Sequence, residues 1–81
     1  MVESIIHCIK VTQVNGMVGC DIYIEEGDKV KFITKDKKEI SGIFMFIELS
    51  QYEDYDDILH IKLDDGMIGT FGVSEIEKFI W

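Results

Sequence analysis

An 81-residue chain makes one domain with a thin core, because so small a domain hides only roughly 60% of the surface its unfolded chain exposes. It contains no proline, no polar low-complexity run, no apolar stretch near the roughly 20 residues that span a bilayer, and no basic segment leading into an apolar block, so a soluble cytoplasmic protein is expected. The net charge is −8 and all eight basic residues are lysine, which argues against a general DNA binder, since arginine is the bidentate reader of phosphate and guanine.

Ile, Val, Phe, Tyr and Thr dominate and alanine is absent, a composition that favours pleated, half-buried strands. The first unit is a strand over 4–14, the pair Asn15-Gly16, and a strand over 17–24. Asn-Gly is the strongest two-residue hairpin signal. A tight turn there pairs residues whose numbers add to 31. Lys10 then faces Asp21, and Ile9, Val11, Val18, Cys20 and Ile22 share one apolar face. Cys8 and Cys20 point to opposite faces, so they are expected as separate buried or half-buried thiols.

A turn over 25–28 leads to a strand over 29–35, a turn at Asp36-Lys37-Lys38 and a long strand over 39–49. Ile43-Phe-Met-Phe-Ile47 is apolar on both faces. Either a bent strand serves two core layers, or its far side packs on the N-terminal hairpin or on a second copy. After an acidic loop, residues 58–64 alternate, with Leu59, Ile61 and Leu63 inward and His60, Lys62 and Asp64 outward. Asp65-Gly66 makes a second tight hairpin into 67–72. Its pairs add to 131, so Ile61 faces Thr70, Leu63 faces Ile68 and His60 faces Phe71. A short helical turn at 73–76 and a strand over 77–81 close the chain.

These elements amount to an all-β single domain: an N-terminal hairpin (4–24) followed by a small, strongly bent barrel (27–81) of about five strands. Gly27, Gly42, Gly66, Gly69 and Gly72 suit its corners, and Gly42 inside a strand signals a bulge or bend. The stretch from Gly27 to Glu48 resembles the first half of the Sm-like fold within the SH3-like barrels. Val30, the Asp36-Lys37-Lys38 turn, Gly42 and Glu48 carry the resemblance, and residues 59–80 fit the same plan. The resemblance implies assembly into dimers or rings through edge strands. It implies no RNA-contacting residue: Leu49-Ser50-Gln51 and then acids follow Glu48, and no basic-Gly pair appears in the second half.

The most charged run is Glu48-Leu-Ser-Gln-Tyr-Glu-Asp-Tyr-Asp-Asp57. It lacks the alternating acids and the glycine of a calcium loop, so no metal is expected. Tyr52, Glu53, Asp54, Tyr55, Asp56 and Asp57 form a candidate partner-binding segment, with tyrosines as anchors among acids that suit a basic protein surface. The same acids also suit a phage-type inhibitor that mimics nucleic acid on a host enzyme. Lys29, Lys31, Lys35, Lys37 and Lys38 against Asp36 make a local +4, leaving −12 on the rest, and are the candidate polyanion surface of an Sm-like RNA- or nucleotide-binding protein. The bland alternatives are a solvated loop and a lysine-guarded strand edge. No CxxC or Cys/His quartet and no phosphate loop is present, and His60 has no Ser or Cys at motif spacing. The expectation is a non-enzymatic, cofactor-free interaction module that forms homo-oligomers and binds a protein partner.

Overall fold

The computed structural model describes residues 1–52 and 54–80, and of Asn15 the backbone alone. Seven strands and one short turn of 3₁₀ helix follow in order: β1 (Cys8–Asn15), β2 (Val18–Glu25), β3 (Lys29–Thr34), β4 (Glu39–Glu48), β5 (Ile58–Leu63), β6 (Ile68–Gly72), the 3₁₀ turn (Val73–Glu75) and β7 (Ile76–Phe79). The all-β reading holds, with the added hairpin and the helical turn in place. Strands β1 and β2 form a two-stranded sheet, and the other five lie in the order β6-β5-β4-β3-β7.

The five-stranded sheet is curled but does not close into a barrel. Strands β6 and β7 are its two edges, and no ladder joins them among the described residues. Flat, those edges would stand about 19 Å apart, four strand spacings. The three residues of the 3₁₀ turn bridge them, and a chain that short spans only about 10 Å. Phe32 on β3 meets Phe71 on β6 edge-on at 5.2 Å, a contact across three strand spacings that a flat sheet would forbid, and its ladder neighbour Phe79 on β7 at 5.4 Å. Phe32 and Ile61 are fully buried at the centre, with Phe44, Leu59, Val30 and Ile24 around them.

The long strand bends at a bulge. Phe44 pairs with Ile61 but Phe46 pairs with His60, so Met45 is the extra residue. The bulge turns Phe44 inward and Phe46 outward, which explains an apolar run on both faces of one strand. The hairpin closes the core from the other side: Ile24 belongs to it, and Ile9, Val11 and Ile22 pack against it.

Both hairpin registers differ from expectation. Strands β1 and β2 pair Ile9 with Ile24, Thr12 with Asp21 and Asn15 with Val18, so the turn is Gly16-Met17. The positive φ falls on Gly16 (+67°), the first central position, where a type II′ turn requires it. Lys10 therefore faces Tyr23, and it is the Thr12 hydroxyl that bonds Asp21 at 2.8 Å. The slip is two residues, so the apolar face survives. In the second hairpin Ile61 faces Gly69, Leu59 faces Phe71 and His60 faces Thr70. A three-residue loop replaces the two-residue turn: Leu63 N–H bonds Met67 O at 2.8 Å, and Gly66 closes the loop at φ +86°. This slip is one residue, so Phe71 turns inward and Ile68 outward.

Two further expectations are corrected. Cys8 and Cys20 are free and both exposed, because they lie on the solvent face and near the hairpin tip, beyond the core. His60 is not a solvent-facing residue; the Phe46 ring stacks on it at 4.2 Å and leaves its side chain 17% exposed. Among the described residues no helix is long and apolar enough to cross a membrane.

Candidate functional site

Between β4 and β5 the acidic loop is a built structure. Asp57 Oδ1 accepts the Ser50 N–H at 2.8 Å, and Ser50 Oγ donates to Tyr52 O at 2.7 Å while accepting the Tyr52 N–H at 3.1 Å. The Tyr55 N–H reaches Tyr52 O at 3.2 Å, and the Val73 N–H reaches Asp57 O at 2.9 Å. Asp56 Oδ2 accepts both the N–H (2.8 Å) and the hydroxyl (2.7 Å) of Ser74. The Ser74 hydroxyl, then its backbone N–H, hold the Asp56 carboxyl below its ordinary value. Asp56 and Asp57 thus tie the loop to the start of the 3₁₀ turn, and part of the acidic run is spent on scaffolding.

What the scaffold displays is aromatic. Tyr52 and Tyr55 are 67% and 70% exposed and meet edge-on at 5.7 Å. Leu49, also 70% exposed, continues the patch. A groove of about 640 Å³ runs among Glu48, Leu49, Tyr52, Tyr55 and Ile58. Asp54 is exposed beside it. Glu53, the remaining member of the predicted segment, lies outside the described residues. Leu49 was not singled out from sequence; its place directly after the acidic strand end Glu48, three residues before Tyr52, was the available signal. Glu48 at the end of β4 receives His60 Nε2 at 3.2 Å, which ties this rim to the Phe46–His60 stack.

The lysine surface is divided differently. Lys31 pairs with Glu39 across the β3–β4 ladder at 2.7 Å, and that hydrogen bond, with the charge behind it, raises the lysine's pKa. Lys37 pairs with Glu77 at 2.7 Å, which lowers the pKa of Glu77, and Lys38 stands 3.8 Å from Asp36. Lys29 and Lys31 both project outward from β3; Lys35 lies beyond its end, where its N–H bonds Glu75 O at 2.8 Å. Three of the five candidate polyanion ligands are therefore already opposite carboxylates. Among the described residues no group of three or more His, Cys, Asp or Glu side chains is gathered as a metal site.

A second groove, of about 660 Å³, separates β1 from the sheet. It is lined by residues 7–14 on one side and by Ile47, Leu49, Val73 and residues 76–79 on the other. Gln13 spans it: its Oε1 accepts the Phe79 N–H at 2.8 Å and its Nε2 donates to Phe79 O at 3.5 Å. Comparisons with protein-family models, curated proteins and solved structures find no match for this chain.

Proposed function

We propose that this chain is a non-enzymatic β-sheet interaction module that self-associates and binds a protein partner with a basic surface through Leu49, Tyr52 and Tyr55. The observation that carries the partner reading is the exposed tyrosine pair on a loop fixed by its own acids. Rigid aromatic anchors lose little entropy on binding, and an acidic rim at Glu48 and Asp54 favours lysine or arginine over the rings. Self-association is supported by the distribution of apolar surface. Among the described residues six hydrophobic side chains make the core, while Val2, Ile5, Ile6, Val14, Met17 and Val18, among others, are exposed at half or more. The five-strand plan with a 3₁₀ turn before its last strand supports an opened relative of the SH3/Sm-like barrels.

The test is recovery of a partner by photo-crosslinking from a residue beside Tyr52. The expected result is that Tyr52→Ala with Tyr55→Ala weakens the recovered complex about thirtyfold, the cost of losing a 2 kcal/mol hot spot. Asp54→Asn weakens it less and Lys29→Glu leaves it unchanged. Equal binding by the tyrosine variant would rule the patch out. Binding of short RNA that falls steeply with salt and vanishes on Lys29/Lys31/Lys35→Glu would instead establish the polyanion reading.

A further inference from the structure

Residues 1–7 form an arm ahead of the first strand, tied to the fold at His7, whose N–H reaches Glu26 Oε1 at 3.3 Å and whose ring meets Phe44 at 5.8 Å. Its sequence, Met-Val-Glu-Ser-Ile-Ile-His, has strand character from Ser4 onward, yet the first strand begins at Cys8. The reason is local: the Glu26 N–H bonds His7 O at 2.8 Å, and β2 has no further residue to offer. Val2, Ile5 and Ile6 are left 75%, 87% and 52% exposed. Directly beyond the arm lies the edge of β1 that has no neighbouring strand among the described residues. The His7–Glu26 bond sets the phase of the ladder, so residues 9, 11 and 13 turn their peptide groups toward β2. Cys8, Lys10, Thr12 and Val14 turn theirs outward, beside the 660 Å³ groove.

Resting on the self-association proposed above, we infer that residues 2–7 of one copy add as an antiparallel strand to the free edge of β1 in a second copy, and that the exchange is reciprocal about a twofold axis at Cys8. In this register Val2 faces Val14 of the second copy, Ser4 faces Thr12, Ile6 covers the stem of Lys10 and Cys8 meets Cys8. On the groove side Glu3 faces Gln13, Ile5 faces Val11 and His7 faces Ile9. These residues are neighbours by alternation alone, and the outward peptide groups of β1 fall in phase with the pairing. A shift of two residues one way sets Val2 on Thr12; the other way runs it past the strand into the Gly16-Met17 turn. Residues 2–7 and the stretch 9–14 that they face are each six residues, about 20 Å, so one operator uses the full length of both.

Charge permits the contact. Two copies at −8 repel over most of their surface. The arm carries a single acid, Glu3, which the register sets beside Gln13, whose amide is held at Phe79 next to Lys78 on the groove wall. An isologous contact of this kind closes at the dimer.

The test is sedimentation velocity over a concentration series with the full chain, alongside thiol cross-linking in a Cys20→Ser background. A dimer is expected, joined through Cys8 by a short bis-maleimide. Val2→Glu raises its dissociation constant about tenfold, two unfavourable pairs per dimer, and Val2→Glu with Val14→Lys restores it. Both positions are exposed, so the fold survives and circular dichroism confirms it. A monomer at every concentration overturns the exchange and self-association together. A dimer indifferent to Val2→Glu, or one in which Cys8 does not cross-link, overturns the exchange alone.

Discussion

Adding one methyl group at Gly42 should be the most damaging small change in the sheet. Gly42 is buried on β4 between Val30 and Leu63. A Cβ there would collide with the carbonyl oxygen of Lys62 and lie 2.6 Å from Ile61 Cγ2. Neither neighbour can yield cheaply: the carbonyl is backbone of the central strand β5, and Ile61 is fully buried. Overpacking of this kind costs about 1–3 kcal/mol, against a total stability of about 4–12 kcal/mol for a chain this size. At about 4–8 °C per kcal/mol, Gly42→Ala should lower Tm by about 4–24 °C, and Gly42→Val should prevent folding. Two other glycines are controls. At Gly69 on the edge strand β6 a Cβ meets the Phe71 ring edge at 2.9 Å and Leu63 Cδ1 at 3.2 Å, side-chain ends rather than backbone, so the loss is smaller. At Gly19 nothing lies within 4 Å, and alanine should be neutral or raise Tm slightly by restricting the unfolded chain. Thermal unfolding followed by circular dichroism measures all three. A Gly42→Ala protein as stable as Gly19→Ala would refute the close approach of β4 and β5.

Phe32→Ala removes the ring that Phe71 and Phe79 share and should cost about 3–5 kcal/mol, read as a lower urea midpoint; a loss under about 1 kcal/mol would mean the curl does not depend on it. The Asp56 carboxyl is held below its ordinary 3.8, chiefly by the Ser74 hydroxyl. Its native form thus binds a proton less readily than the unfolded chain, so the stability it lends is present above pH 3.8 and lost as pH falls through the lower native value. Carboxyl chemical shifts followed against pH should show Ser74→Ala moving Asp56 up toward 3.8, and an unmoved titration would discount the bond. Phe46→Ala should leave Tm little changed, since that ring is on the outer face, but should expose His60 to solvent and speed its modification by diethylpyrocarbonate.

The strands were legible because composition and alternation act locally, one residue at a time. The pairing between them was legible only as far as the turns were. Asn15-Gly16 supports a type I′ turn, with both residues at positive φ; the chain places the turn one residue later and uses Gly16 alone. That error is even, so Ile9, Val11 and Ile22 still face the core. At Asp65-Gly66 a three-residue loop shifts the ladder by one, and the inward residue becomes Phe71 in place of Thr70. The inward Phe71 then completes the contact with Phe32. The Met45 bulge had a visible symptom, apolar residues on both faces of β4, but its position depends on β5 and cannot be read from β4 alone. The open barrel is of the same kind: closure requires β6 and β7 to find each other in phase, a property of no single segment.

The acidic loop shows most directly how charge is used. Five acids in ten residues suggest a surface meant for a cation or a basic partner. Yet Asp56 and Asp57 each accept hydrogen bonds from neighbouring backbone, and Asp57 also gives its carbonyl to Val73. Polar caps of this sort are what a loop without an apolar anchor needs if it is to hold one shape. The consequence is physical rather than electrostatic: with two acids holding the backbone, Tyr52 and Tyr55 can stand exposed in a fixed mutual geometry without collapsing onto the sheet. Removing a scaffold acid and removing a displayed ring should therefore fail in different ways. Asp57→Ala should loosen the loop and speed amide exchange at Ser50, with only an indirect loss of the proposed partner affinity. Tyr55→Ala should leave that exchange unchanged and, if the proposed patch binds a partner, remove that affinity directly.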